Sequence, residues 1–220
     1  MKFHHTICSY SALSTHDSFP FTKVILFLIV VLIPFGVLKG QSFKGGVLVG
    51  LVGSQVAGDR YSGYNKAGLT GGGWVNLTAN PNTQYQMELT YIQKGSRENP
   101  DYEKEKYDFY RMQLGYVELA LLYRMLYSEK LNFEIGPAMD FLLHHHEKFN
   151  NEELFSPFAK RNLCLILGLS YRIGEKTIVN FRTNNSILTI RTQRVNGDVW
   201  RFFDHGQFND ALVFSLYYEL

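Results

Sequence analysis

Three consecutive histidines followed by a carboxylate are the residues of this chain best suited to bind a metal ion. The run is His144-His145-His146-Glu147, and two imidazoles with a carboxylate can hold Zn²⁺ or Cu²⁺. On a β-strand consecutive side chains point to opposite faces, so at most His144 and His146 share one. A polar rim where a strand enters a loop is the simpler interpretation. His144, His146 and Glu147 are therefore weak metal candidates, and we expect no cofactor.

A hydrolytic site would need a serine or cysteine beside a histidine and an acid. His205 is near Asp204 and Asp210 in the sequence, and serines are available. No nucleophile stands in a motif of fixed spacing, and Cys164 falls where a small buried residue is expected. We predict that the chain is not an enzyme. A membrane-barrel hydrolase or acyltransferase is the alternative.

A third group combines aromatic rings with a guanidinium near the C-terminus. Residues 200–203 read WRFF, and exposed aromatics beside arginine favour binding of a partner. Trp200, Arg201 and Phe202 are accordingly candidates for recognition in a loop.

The elements that must position these residues are β-strands, because apolar and polar residues alternate almost throughout residues 41–220. In one segment Leu163, Leu165, Leu167, Leu169 and Tyr171 occupy every second position. Eight such segments are predicted, near 43–53, 68–79, 83–94, 108–126, 130–143, 160–173, 176–190 and 208–220. The fourth changes phase near Gly115, which indicates either a β-bulge there or the point where the strand leaves the membrane.

The connections between these segments alternate between long and short. The long ones cover residues 54–67, 95–107, 144–159 and 191–207, and the short ones are 80–82, 127–129 and 174–175. Even strand number, short periplasmic turns and long extracellular loops are typical of bacterial outer-membrane barrels. The sequence therefore predicts an all-β fold, an eight-stranded antiparallel up-and-down transmembrane barrel.

The two faces of the strands decide between a membrane barrel and a soluble one. The face opposite the large apolar residues is mostly small or polar with few charges, whereas a solvated outer face would carry many Lys and Glu. A narrow eight-stranded interior needs small residues and paired ions. We therefore predict a plugged lumen whose charge network consists of Glu88, Arg111, Glu134, Asp140, Arg172 and Arg182.

The N-terminal segment looks like a secretory leader. Residues 24–38 read VILFLIVVLIPFGVL, shorter than the roughly 20 residues that span a bilayer but suited to a signal peptide. Residues 1–40 are therefore predicted to be a signal peptide with an unusually long N-terminal region, and residues 41–220 the barrel. A retained N-terminal anchor is the alternative.

Composition excludes several other classes. The formal net charge is +2, from 22 Lys+Arg and 20 Asp+Glu, which gives no indication of a nucleic-acid partner. Aromatic residues make up 15% of the chain, which argues against disorder and coiled coils. Only one long apolar run exists, so a polytopic helical membrane protein is excluded.

Several further segments are informative in their order and spacing, namely residues 50–59 (GLVGSQVAGD), 62–69 (SGYNKAGL), 88–96 (ELTYIQKGS), 116–123 (YVELALLY) and Gly136-Pro137. In these segments the chain resembles the PorT-like outer-membrane β-barrel family of Bacteroidota. It implies an outer-membrane barrel without an assigned activity, although one named member is tied to protein secretion. Many members end in an aromatic residue, whereas this chain ends in Leu220.

These observations lead to a functional expectation. We expect an exported outer-membrane barrel with a plugged lumen and four extracellular loops, in a structural or surface-binding role. A barrel subunit of a secretion or envelope assembly is the first alternative, and a barrel enzyme or small pore is the second. Expected partners are outer-membrane lipid, the barrel-insertion machinery and an envelope or secretion complex.

Overall fold

The computed structural model describes residues 42–61, 63–100, 103, 107–150, 152–154, 157–191, 199–201 and 204–220. The predicted signal peptide and Phe202 lie outside these residues. No helix in the described part of the chain is long and apolar enough to cross a membrane.

The described residues form eleven strands, eight of which are long. In chain order they are β1 (Ser42–Ala57), β2 (Lys66–Asn80), β3 (Thr83–Glu98), β4 (Tyr110–Leu126), β5 (Leu131–Phe149), β6 (Glu152–Glu153), β7 (Arg161–Arg172), β8 (Thr177–Ser186), β9 (Val199–Arg201), β10 (Asp204–Gly206) and β11 (Phe208–Glu219). The eight long strands pair antiparallel in the order β4-β3-β2-β1-β11-β8-β7-β5, and β4 pairs with β5 to close the cylinder. The predicted eight-stranded up-and-down barrel is confirmed.

The two ends of the barrel differ in their connections. Residues 81–82, 127–130 and 173–176 join strands at one end, which we call the short-turn end. Residues 58–65, 99–109, 150–160 and 187–207 join them at the other, the long-loop end. The short strands belong to the long connections: β6 pairs with the end of β5, and β9 and β10 form a hairpin.

The outer wall of the barrel is apolar and the inner wall is not. On β7, the outward side chains of Leu167, Leu169 and Tyr171 are 43–47% exposed. Cys164 and Ile166, which are nearer the long-loop end of the same strand, are fully buried inside the barrel. Neighbouring strands continue this pattern, since Phe133, Leu169 and Phe181 lie side by side on the outer face. The large apolar residues of the alternating strands therefore face outward, as a membrane barrel requires.

Strand β4 keeps a single phase along its whole length. Its even-numbered residues face inward from Tyr110 to Arg124. The apparent change of phase near Gly115 is therefore a change from apolar residues to a mixture of polar and apolar residues on the inner face. The irregularity belongs instead to β5, where Gly115 pairs with His144 but Tyr116 pairs with Leu142, leaving Leu143 as the extra residue of a bulge.

The interior changes in character along the barrel axis. Towards the long-loop end it is an apolar core, formed by Val52, Val56, Ile92, Tyr110, Met112, Leu114, Tyr116, Ile190, Ala211 and Val213. Towards the short-turn end a smaller group, Leu48, Trp74, Ile178 and Tyr217, packs together. Buried charged residues fill the space between, so large side chains occupy the lumen over its length.

Candidate functional site: the charged lumen and the long-loop end

A buried lysine forms the centre of the lumen. Lys94 Nζ is 2.7 Å from Asp140 Oδ2 and 3.1 Å from Glu118 Oε2, and it also donates to Asn184 Oδ1 at 3.0 Å. The side chains of Lys94, Glu118 and Asp140 are fully buried. Because β3, β4 and β5 are adjacent, their inward residues at this level meet across the narrow interior.

A buried arginine makes a second centre beside the first. Arg182 Nη1 is 2.7 Å from Glu88 Oε2, and Tyr217 donates its hydroxyl proton to Glu88 Oε1 at 2.7 Å. Arg182 Nη2 is also 3.8 Å from Glu118 Oε1. Glu118 therefore lies between two cations, Lys94 and Arg182, and joins the two centres into one network.

A third cation extends this network towards the short-turn end. Arg124 Nε is 3.6 Å from Glu134 Oε2, and Arg124 Nη1 donates to Gln86 Oε1 at 2.7 Å. Asn180 donates to the other oxygen of Glu134 at 2.7 Å. The buried network thus contains Lys94, Arg124 and Arg182 as cations and Glu88, Glu118, Glu134 and Asp140 as carboxylates. Near-balance of charge is what a low-dielectric interior requires.

The structure places four of the six predicted lumen charges in this network: Glu88, Glu134, Asp140 and Arg182. Arg172 lies at the short-turn end, where it is 3.4 Å from Glu219 and partly exposed. Arg111 is on the outer face, which corrects its assignment to the lumen. The reason is the constant phase of β4, which turns odd-numbered residues outward along the whole strand.

Three further members of the network are absent from the predicted set: Lys94, Glu118 and Arg124. Lys94 is the last residue of the predicted segment 83–94, and it continues the even-numbered phase of Glu88 along β3. Glu118 and Arg124 share the inward phase of β4, which the apparent slip near Gly115 obscured. Extending the period of two through both strands would have identified all three.

The three metal candidates do not converge. His144 faces outward, with Nε2 3.0 Å from the Tyr91 hydroxyl, and His146 lies 3.7 Å from Glu153. Glu147 points inward, accepts from Tyr110 at 2.6 Å and pairs with Arg191 at 2.8 Å. Because neighbouring strand residues face opposite sides, the carboxylate cannot join the imidazoles. In the described ranges no three metal-ligating side chains form such a cluster.

The recognition candidates lie on the β9–β10 hairpin and take two different roles. Trp200 is 71% exposed, so it is available to a partner. Arg201 instead makes a bidentate pair with Asp210 at 2.6 and 2.8 Å and lies over the Phe208 ring. Its guanidinium therefore attaches the hairpin to the barrel wall.

The acids proposed for hydrolysis are already engaged. Asp210 is bound by Arg201, and Asp204 accepts from the backbone and hydroxyl of Thr189 at 3.0 and 2.8 Å. These hydrogen bonds lower the pKa of Asp204. Both carboxylates thus serve to hold the last long connection in place.

Hydrogen bonds between loops close the barrel at the long-loop end. Arg191 pairs with Glu147 and donates to Gln207, which in turn donates to the Gly58 carbonyl at 3.2 Å. Asp59 is buried nearby, and burial raises its pKa from 3.8 to about 6. The connections 58–65 and 187–207 therefore meet with the end of β5 above the apolar core.

A closed barrel with an apolar outer wall and charges sealed inside it defines the class, a transmembrane β-barrel of the bacterial outer membrane. The family described as "Outer membrane protein beta-barrel domain" matches residues 40–190 of this chain. The chain belongs to this family, and it is a small outer-membrane barrel.

A solved structure shows the same fold. The crystal structure of Neisserial surface protein A is similar with a TM-score of 0.53 and 12% identity, covering 83% of this chain and 100% of that one. Ail, the attachment invasion locus protein of Yersinia pestis, has a TM-score of 0.48 and 11% identity, with 83% and 100% coverage. No curated protein sequence matches this chain.

Proposed function

We propose that this protein is a closed structural barrel that presents its four long loops at the cell surface. The filled lumen is the observation that carries this proposal. Fully buried ion pairs occupy its middle, an apolar core lies above them, and hydrogen-bonded loops meet at the long-loop end. Side chains of the described residues fill the lumen along its length, so the proposed role is neither a pore nor an enzyme whose substrate enters the lumen.

The orientation can be tested by labelling single cysteines on intact cells. Lys160 is exposed in a long connection, Glu129 is exposed in a short turn, and the native Cys164 is buried. We expect a membrane-impermeant maleimide to label Lys160→Cys but not Glu129→Cys. Labelling of Glu129→Cys alone would reverse the proposed orientation.

The closed lumen can be tested by conductance in planar bilayers. Purified protein is expected to leave the current at baseline, and stable single-channel steps would refute the plug. Glu118→Ala serves as the positive comparison, because it removes a side chain at the centre of the network and leaves Arg182 and Lys94 with fewer counterions.

We also propose that the chain is a PorT-like member of this family, exported through a signal peptide that ends at residue 40. The segments quoted for the resemblance support the first part, and the apolar run at residues 24–38 supports the second. N-terminal sequencing of the protein from outer membranes is expected to begin at Gln41. A protein that retains residues 24–38 would contradict the leader.

A subunit of an envelope or secretion assembly is the second candidate function. The exposed Trp200 on the β9–β10 hairpin favours it, because exposed tryptophans are frequent anchors of interfaces. Cross-linking in native membranes, followed by purification in detergent, would support this candidate if a stoichiometric partner is recovered and if Trp200→Ala abolishes the recovery.

A further inference from the structure

Three cations lie side by side on the outer face of the barrel near the long-loop end. Arg97 on β3 is directly opposite Arg111 on β4, and Arg111 is directly opposite Lys148 on β5. Adjacent strands are about 4.8 Å apart, so the three residues form a continuous row. We call Arg97, Arg111 and Lys148 the cationic row.

This arrangement is unfavourable by itself. Like charges placed directly opposite each other in a sheet repel, and Arg97 and Arg111 also repel the ammonium of the buried Lys66. Glu153 is 3.6 Å from Lys148 at one end of the row. Arg97 Nε also donates to the amide oxygen of Asn99 at 2.9 Å, a neutral partner that leaves the positive charge of the row in place. Its charge pattern is therefore suited to an anion that spans the three strands.

The band below the row is polar and contains a small pocket. Moving towards the short-turn end, the next positions on the outer face are Gln113 and His146, then Gln93 and His144. A pocket of about 70 Å³ opens here, lined in part by Lys66, Gln93, Gln113 and His144. Gln93, Gln113 and His144 line the pocket from the outer face and carry N–H groups suited to oxygens of the same ligand, whereas Lys66 is buried and donates to the Ala67 carbonyl.

The membrane-facing belt of the same strands begins immediately below this band. Tyr91, Val117 and Phe141 form one outer row, and Leu89, Leu119 and Met139 form the next. Arg97 is six residues beyond Tyr91, about 20 Å along the strand, which is a height of about 15 Å for a strand tilted by about 40°. The headgroup layer of a phospholipid is only about 5–7 Å deep. The cationic row therefore lies higher than a simple phospholipid headgroup reaches.

We propose that the cationic row and the polar band beneath it bind a phosphorylated glycolipid of the surrounding membrane leaflet. Its acyl chains would lie along the apolar belt, its sugars would contact the polar band, and its phosphates would pair with Arg97, Arg111 and Lys148. Charge-assisted hydrogen bonds from guanidinium groups to phosphate are strong and geometrically specific. This inference rests on the outward orientation of the long-loop end proposed above.

The test is a lipid titration of the purified full-length protein in detergent, followed by native mass spectrometry. The probes are lipopolysaccharide truncated to its phosphorylated inner core, phosphatidylglycerol and inorganic phosphate. We expect Arg97→Gln/Arg111→Gln to weaken lipopolysaccharide binding about tenfold, because two charge-assisted contacts are lost. The matched control is Lys130→Gln/Lys176→Gln, which removes two exposed cations at the short-turn end and is expected to leave binding unchanged.

A heat-shift gel confirms folding of both double variants, and Arg111→Gln alone replaces the first if it does not fold. Equal affinity of the row variant and the wild type for lipopolysaccharide overturns the proposal. So does phosphatidylglycerol that binds as tightly as lipopolysaccharide, or inorganic phosphate that displaces the glycolipid at millimolar concentration. The cysteine-labelling experiment reports on orientation independently, so a failure of the lipid site is distinguishable from a failure of the proposed function.

Discussion

Arg182 and Arg111 carry the same charged group, but Arg182 is buried inside the barrel and Arg111 is exposed on its outer wall. Arg182 is fully buried, 2.7 Å from Glu88 and 3.8 Å from Glu118, on an inner wall where three cations meet four carboxylates. Arg111 is exposed on the outer wall between two further cations. Charges inside must be matched because burial removes them from bulk water. Charges above the apolar belt are solvated and need no such matching, so they can also pair with an anionic ligand.

The comparison predicts its largest effect at Arg182. Arg182→Met keeps much of the side-chain volume but leaves Glu88 without its cation in the interior. We expect the free energy of unfolding to fall by about 3–5 kcal/mol, because breaking a buried ion pair leaves an uncompensated charge in the interior. Urea-dependent unfolding in lipid vesicles measures this loss, with the heat-shift gel reporting the folded fraction at each urea concentration.

An exposed ion pair provides the control for this measurement. Lys44 is 2.7 Å from Glu219, but its side chain is 42% exposed. Lys44→Met should cost no more than about 1 kcal/mol. The double variant Arg182→Met/Glu88→Gln should recover much of the lost stability. If Arg182→Met and Lys44→Met cost the same, the lumen network does not stabilise the barrel through matched charge.

A charge introduced into the apolar belt tests the outer wall directly. Leu167 is 45% exposed on the outer face of β7 (Arg161–Arg172), near the middle of the strand. Leu167→Arg should destabilise the barrel by about 2–4 kcal/mol, because a cation at mid-depth of the bilayer loses its hydration. Ile173→Arg, just beyond the short-turn end of β7, should cost about 0–1 kcal/mol. Equal costs at the two depths would argue against a membrane belt at Leu167.

The residues of the inner and outer walls also differ in how well the sequence predicts their positions. Alternation along β7 and β11 identified the outward leucines and the closed barrel, because a period of two follows directly from strand geometry. Glu88, Glu134, Asp140 and Arg182 followed from the same rule. The position of Arg111 did not follow from it. Near the long-loop end the interior is apolar, so the apolar residues of β4 face inward there and outward further along the strand, which looks like a change of phase in the sequence.

Pairing across strands was beyond the sequence altogether. Lys94 meets Asp140 although 46 positions separate them, and Arg182 meets Glu88 across 94. Register decides such contacts, and the register of β4 and β5 includes a bulge at Leu143 that no local pattern marks. The cationic row depends on the same register, which is why Arg97, Arg111 and Lys148 were not grouped from the sequence.

Asp59 is a carboxyl group buried at the long-loop end, outside the charge network of the lumen. Burial raises its pKa from 3.8 to about 6, partly offset by hydrogen bonds from Ser96 and the Tyr61 backbone. Ionisation therefore costs the folded state more than the unfolded state. The stability contributed by the protonated group is fully present below about pH 4 and is lost as the pH rises through about 6.

Replacing Asp59 should flatten this pH dependence. The wild type is expected to lose up to about 3 kcal/mol between pH 4 and pH 7 from this group, whereas Asp59→Asn stays neutral and loses none of it. Urea unfolding across this pH range measures the difference, with Glu175→Gln in an exposed short turn as the control. A wild type and an Asp59→Asn variant with parallel pH profiles would disprove the assignment.

The smallest effect on stability is expected where the charge is most exposed. Arg111→Gln removes the middle cation of the outer row, and the repulsion that it relieves from Arg97 and Lys148 opposes the loss of its own contacts. In detergent without added lipid we expect the free energy of unfolding to change by no more than about 0.5 kcal/mol. Urea unfolding compares it with Arg182→Met under identical conditions. A loss of several kcal/mol at Arg111 would mean that this guanidinium holds the barrel together, and the outer row would then resemble the lumen network rather than a site left free for a ligand.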